Sequence, residues 1–207
     1  MAHPVGTAES RCGHRKPTFA GRAWLQSGID KTMILKSATD ETELELRVLG
    51  YQFPEIAHDE YDSNWLLVEI KARTPAGSWS STDPCMLTWE AHWLLNWLAD
   101  LVSEGQNDHE MSFLESNLLF SLAGKHDHTF DLRICVSGEL RPPSDISAGG
   151  DEVEIRLQTS VSDLRECVSS LSKELRLFPV RAGGLRRCRP FFDPKTDCLL
   201  CGGAEPK

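Results

Sequence analysis

The sequence predicts an α+β domain, with one antiparallel β-sheet of about five to six strands, two amphipathic α-helices packed on one of its faces, and flexible termini. Three observations carry this. Several short segments alternate apolar and polar residues strictly, which is the period of a half-buried strand. Two other stretches repeat apolar residues at three and four, the period of a helix with one buried face. Their order is strands, helix, strands, helix, without the regular strand-helix alternation that a parallel sheet requires.

The β pattern begins near Lys31. Leu44, Leu46 and Val48 alternate with Glu43, Glu45 and Arg47. Leu66, Val68, Ile70 and Ala72 alternate with Leu67, Glu69, Lys71 and Arg73. The joints that follow, Gly77-Ser78-Trp79 and Asp83-Pro84, read as turns, the second delivering the chain into a helix. That helix starts at Thr88 as N-cap, presents Trp93, Leu94, Trp97, Leu98 and Leu101 as one stripe, and stops at Gly105. Ser112 to Leu122 fits a strand loosely. Phe130, Leu132, Ile134 and Val136, then Val153, Ile155 and Leu157, form two further alternating strands. The second helix starts at Ser160 with Asp163 three residues on, as in a capping box. It carries Val161, Leu164, Val168, Leu171, Leu175 and Phe178 on one side and ends before Pro179.

Organisation follows from where these periods begin and end. Residues 1–30 are rich in Gly, Ser, Arg and His and read as a disordered extension. Residues 31–180 form the single α+β domain, a size that supports one sizeable core. Residues 181–207 revert to Cys, Arg, Gly and Pro and read as a disordered tail. No run approaches the roughly 18 to 20 apolar residues of a membrane span. The basic N-terminal residues have no apolar stretch behind them, so a cytoplasmic location is expected rather than a secretory one.

The seven cysteines suit a reducing compartment. Cys85, Cys135 and Cys167 fall within patterned segments, where a reduced Cys serves as a small apolar residue. The remaining four lie in the tails. Cys198 and Cys201 form a C-x-x-C pair, and Cys188, or Cys12 and His14, are available to complete a zinc site. One such pair supplies only two of four ligands, so no metal or other cofactor is assigned.

The net charge of −9 conceals an asymmetry. Residues 40–178 hold 10 Lys and Arg against 26 Asp and Glu, while both ends are basic. An acidic domain repels phosphate backbones and attracts basic partners. The outward residues of the strands are nearly charge-balanced and are expected to pair across strands, which leaves the excess acid in loops. Its densest concentration is Glu55, Asp59, Glu60 and Asp62, with no Lys or Arg among them and with Tyr51 and Tyr61 as candidate anchors. Asp108 and Glu110 follow the first helix. These six carboxylates are the candidate contacts for a basic partner.

Catalytic signatures are sparse. GxSxG, HExxH, P-loop and GxGxxG motifs are absent from the sequence. Glu90 and Glu115 in apolar surroundings, and His126 and His128 in a polar turn, are the groups an enzyme would use. A third alternative is a metal-stabilised nucleic-acid adaptor working through the tails, with Arg181, Arg186, Arg187 and Arg189 as contacts. Five of the six tryptophans lie between Trp65 and Trp97. Their helical spacing and acidic surroundings favour core packing over base stacking.

The ordered run LELRVLGYQFP, DSNWLLVEI, GSWSSTDPCMLTWE and FLESNLLF resembles the WapI family of bacterial immunity proteins over about residues 42–178. The resemblance implies a small, non-enzymatic cytoplasmic protein. Such a protein protects its producer by binding the C-terminal toxin domain of a contact-dependent or secreted effector, a nuclease in the name-giving case. The matching residues Tyr51, Phe53, Pro54, Asn64, Trp65, Trp79, Asp83, Pro84, Glu90, Glu115 and Asn117 are expected to define the fold rather than touch the toxin. The expected partner is therefore a basic toxin domain, with no membrane and no direct nucleic acid.

Overall fold

The computed structural model describes residues 32–103, 109–143 and 150–181. Two four-strand meanders, each followed by a helix, build the domain. The first comprises β1 (Met33–Lys36), β2 (Glu43–Tyr51), β3 (Trp65–Thr74) and β4 (Gly77–Leu87), paired antiparallel in that order and followed by α1 (Thr88–Ser103). The second comprises β5 (Glu110–Ser112), β6 (Leu118–Lys125), β7 (Thr129–Ser137) and β8 (Glu152–Ser160), likewise in order, followed by α2 (Val161–Leu175). A single 3₁₀ turn, Gly138–Leu140, follows β7.

The expected single sheet is thus corrected to two sheets of four strands. Part of the difference is β4, whose sequence GSWSSTDPCML is rich in turn-forming residues. Its Pro84 is tolerated because β4 is an edge strand and Pro84 lies in a bulge, where Val68 faces Asp83 and Leu66 faces Met86. A missing N–H costs nothing at that place. The loose strand over Ser112 to Leu122 is also corrected: residues 113–117 form a loop between β5 and β6.

Alternation delivers the buried faces as expected. Leu44, Leu46 and Val48 of β2, Leu66, Val68, Ile70 and Ala72 of β3, and Phe130, Leu132, Ile134 and Val136 of β7 join one core cluster with both helices. Outward residues pair across strands, as Lys71 Nζ does with Glu45 at 3.5 Å and Arg133 with Glu110 at 3.8 Å and Glu154 at 3.7 Å, and Lys71 also pairs along its own strand with Glu69 at 3.3 Å. These exposed pairs contribute well under about 1 kcal/mol each.

The sheets meet where β1 and β8 come together. Just beyond β1, the Ala38 N–H donates to the Gln158 carbonyl of β8 at 2.7 Å, and α2 packs across both strands. A second tie comes from Trp79 of β4, whose buried indole N–H donates to the Leu140 carbonyl at 3.1 Å.

Helix α2 begins as its sequence directs: the Ser160 hydroxyl accepts from the Asp163 N–H at 3.1 Å. Helix α1 differs from expectation. Thr88 is its first residue rather than its cap, Trp93 is only half-buried, and Trp89, Ala91 and Leu95 are buried beside the expected stripe. The helix is enclosed over more of its circumference than one stripe would require. Cys85 and Cys167 are buried free thiols that burial pushes up to about 12, so they act as packing groups.

Candidate functional site

The acidic segment 52–64 links β2 to β3, and its shape is set by hydrogen bonds rather than by core burial. Phe53, one of the residues expected to define the fold, is only half-buried, and β2 already ends at Tyr51. One Asp59 carboxylate oxygen accepts from the N–H groups of Tyr61 at 2.8 Å and Asp62 at 2.7 Å. Ser63 donates its hydroxyl to the Asp59 carbonyl. A turn of this kind is a normal task for Asp, whose short side chain reaches its own following backbone. Of the four candidate acids here, Glu55, Asp59 and Asp62 are exposed and Glu60 is half-buried.

Both ends of the segment are pinned to distant parts of the chain. Asn64 is fully buried. Its amide donates to the Glu60 carbonyl at 3.0 Å, and its side-chain oxygen accepts from the Thr88 hydroxyl at 2.6 Å and from the Arg181 N–H at 2.9 Å. Arg181 closes the other end. Its guanidinium carbon lies 3.5 Å from the Tyr51 ring centroid, and one Nη donates to the carbonyls of Phe53 at 3.1 Å and Ile56 at 2.6 Å. The Tyr51 hydroxyl donates to the Pro179 carbonyl. Tyr51 is therefore packed beneath Arg181 rather than projecting as an anchor. Tyr61 is 39% exposed and stands edge-on to Trp89 at 5.7 Å.

Arg181, grouped with the basic tail by its composition, folds back onto the domain. Nothing local signals this, because its partners lie more than a hundred residues away.

A second loop, residues 113–117, reaches the same helix start. Glu90 is buried, and its two carboxylate oxygens accept from the N–H groups of Leu87 at 2.9 Å and Leu114 at 2.6 Å. Burial raises the affinity of this carboxyl for its proton, and the two amides oppose that effect. Asn117 donates to Asp83 of β4 at 2.9 Å, and its carbonyl accepts from the Ser137 N–H at 3.0 Å. Gly138 is needed there: its φ is +58°, and a Cβ would run into the Asn117 side chain.

The groups an enzyme would use are placed apart in role. Glu90 serves two backbone amides, while Glu115 is exposed. His126 is drawn to Asp131 at 2.9 Å, and the His128 carbonyl accepts from the Val161 N–H at 3.0 Å. Two grooves, of about 240 and 460 Å³, lie between β1 and α2 and beside the β6–β7 turn. His126 and His128 line the larger; neither groove is lined by Glu90 or Glu115. No cluster of three or more His, Cys, Asp or Glu suited to a metal occurs among the described residues. Cys188, Cys198, Cys201, Cys12, His14 and Arg186, Arg187 and Arg189 lie outside the described residues, as does Asp108. Glu110 sits on β5 beside Arg133. No helix among the described residues is long and apolar enough to cross a membrane.

Some of the residues that tie these loops together, Tyr51, Asn64, Asp83, Glu90 and Asn117, belong to the joints noted in the sequence, while Thr88 and Arg181 do not. A family model described as the immunity protein WapI-like family matches residues 33–179. The chain belongs to the WapI-like immunity protein family. The match takes in both sheets and both helices, and starts with β1, earlier than the resemblance visible in the sequence. No curated protein and no solved structure matches the chain. Several WapI-like joint residues have structural tasks here: Asn64 holds the acidic loop, Trp79 ties the sheets, Asp83 holds Asn117, and Glu90 joins α1 to loop 113–117. Pro54 and Glu115 are exposed and have no such task in this structure.

Residues missed by sequence reasoning include Glu174 of α2. It is buried, accepts from the Val48 N–H at 2.8 Å, and burial pushes its carboxyl up to about 7. A signal was present: position 174 falls three residues after Leu171, on the apolar side of the helix.

Proposed function

We propose that this WapI-like protein is a cytoplasmic, non-enzymatic inhibitor that binds and masks the basic toxin domain of a contact-dependent or secreted bacterial effector. The toxin is a nuclease in this reading, and the contacts are Glu55, Asp59, Glu60 and Asp62, joined by Asp108 and Glu110. Family membership supports the immunity role. The observation that carries the electrostatic part is a run of four carboxylates, without a Lys or Arg, on a loop fixed at both ends.

The physical logic is competition. A nuclease must be basic to hold phosphates, so a cover for its site gains both encounter rate and affinity from acidic side chains. A loop already held in shape loses little freedom on binding. Inhibition then requires one-to-one coverage and no bond chemistry.

Co-expression with the toxin domain encoded alongside tests the reading, scoring survival and co-purification at low and high salt. Rescue with a salt-sensitive one-to-one complex is the expected result. Continued toxicity with no complex at either salt concentration overturns it.

A further inference from the structure

We propose that the partner surface is composite: the acidic loop 52–64 and loop 113–117 form one docking face over the first turn of α1. Tyr61 and Leu114 are its apolar anchors, and the partner is a basic protein surface with an apolar patch at its centre. This inference rests on the immunity reading above and adds a second loop to it.

Four large apolar side chains are well exposed among the described residues: Leu49 at 41%, Tyr61 at 39%, Leu114 at 59% and Leu177 at 53%. One exposed apolar residue needs no explanation, but placement distinguishes this set. The Tyr61 ring rests against Trp89, and the Leu114 N–H is held by the carboxylate of Glu90, the next residue of the same helical turn. Two loops more than fifty residues apart are thus fixed to consecutive positions of α1.

Charge separates Tyr61 and Leu114 from the other two exposed side chains, Leu49 and Leu177. Loops 52–64 and 113–117 carry Glu55, Asp59, Glu60, Asp62 and Glu115, with no Lys or Arg in either segment, and the one charge of Arg181, packed on the start of loop 52–64 through the Phe53 and Ile56 carbonyls, leaves the five carboxylates in excess. Leu49 and Leu177 instead lie close in sequence to Arg47 and Arg176. A basic partner is therefore drawn to the two acidic loops rather than to the surroundings of Leu49 and Leu177. An aromatic and an aliphatic side chain carried on acidic loops supply the apolar centre that an interface needs, where few residues carry most of the affinity.

Rim and centre make different kinetic predictions, because charges govern encounter and buried anchors govern departure. The probe is the toxin domain encoded alongside, carrying an inactivating substitution, with association and dissociation rates measured by surface plasmon resonance. Leu114→Ser and Tyr61→Ala are each expected to speed dissociation about tenfold or more, with association near the wild-type rate. Leu49→Ser is expected to change neither.

Leu114 makes its structural bond through its backbone, so Leu114→Ser leaves that bond in place even if Tyr61→Ala loosens the fold against Trp89. Wild-type dissociation from Leu114→Ser overturns the composite surface and leaves the immunity reading standing. Loss of binding from Leu49→Ser alone also overturns it, by moving the interface to the surroundings of Leu49. Failure of the wild-type protein to bind the probe overturns both.

Discussion

Asn64 and Thr88 hold each other twice. The Thr88 N–H donates to the Asn64 carbonyl at 2.9 Å, and the Thr88 hydroxyl donates to the Asn64 side-chain oxygen at 2.6 Å. Both residues are fully buried. This pair joins the start of β3 to the start of α1 and thereby sets where the acidic loop leaves the domain.

Asn64→Ala should cost about 2 to 4 kcal/mol in urea unfolding, since it strands buried donors and an acceptor as well as removing bonds. Thr88→Ala should cost about 1 to 2 kcal/mol. Because the two share a bond, the double variant should fall short of the sum by about 1 kcal/mol. Strict additivity would show that the pair does not act as a unit.

Arg181→Ala should loosen the acidic loop more than the domain. Hydrogen exchange should accelerate in residues 52–63 while the global unfolding free energy falls by about 1 to 2 kcal/mol. Arg181→Lys should restore little, because an ammonium lacks the planar face that lies on Tyr51. Full protection in the Lys variant would reduce the role of Arg181 to its charge.

The four acids of the loop should separate by role. Neutralising Glu55, Glu60 and Asp62 with Gln, Gln and Asn should slow association with the toxin domain and flatten its salt dependence. Asp59→Ala should instead disturb the turn that its carboxylate holds, and Asp59→Asn should keep that turn because an amide oxygen still accepts from Tyr61 and Asp62. Unchanged association in the triple variant would remove this loop from the interface.

Glu174 should make stability fall with rising pH. The unfolded carboxyl titrates near its ordinary value of about 4.3, whereas the folded one titrates near about 7. Between those values the folded state keeps a proton that the unfolded state releases, so each rise in pH through the window removes stability. Relative to Glu174→Gln, the wild-type protein should lose about 2 to 3 kcal/mol between pH 4.5 and pH 8. A constant difference across urea melts in that range would show that Glu174 does not titrate there.

Glu90→Ala should cost about 3 kcal/mol or more, because two backbone donors lose a charged acceptor together. Amide exchange at Leu114 should rise with it. An unaltered Leu114 amide would mean that loop 113–117 is held chiefly by Asn117.

The strands with strict alternation were legible because burial on one face and hydration on the other leave a period of two in the residues themselves. Leu44 to Val48, Leu66 to Ala72 and Phe130 to Val136 all show it. The Ser160–Asp163 cap was legible for a similar reason, since its donor and acceptor lie three residues apart. The acidity of loop 52–64 was also legible, as composition alone displays it.

Tertiary structure decided the rest. β4 pairs despite Pro84 because it is an edge strand with a bulge, and an edge is a property of the assembled sheet. The division into two sheets follows from which meander each strand joins, and the bond from Ala38 to Gln158 that brings them together spans most of the domain. Arg181 against Tyr51, and Leu114 against Glu90, depend on contacts between residues far apart in the chain. Sequence periodicity records only whether a side chain meets core or water; which distant group it meets is fixed when the chain closes on itself.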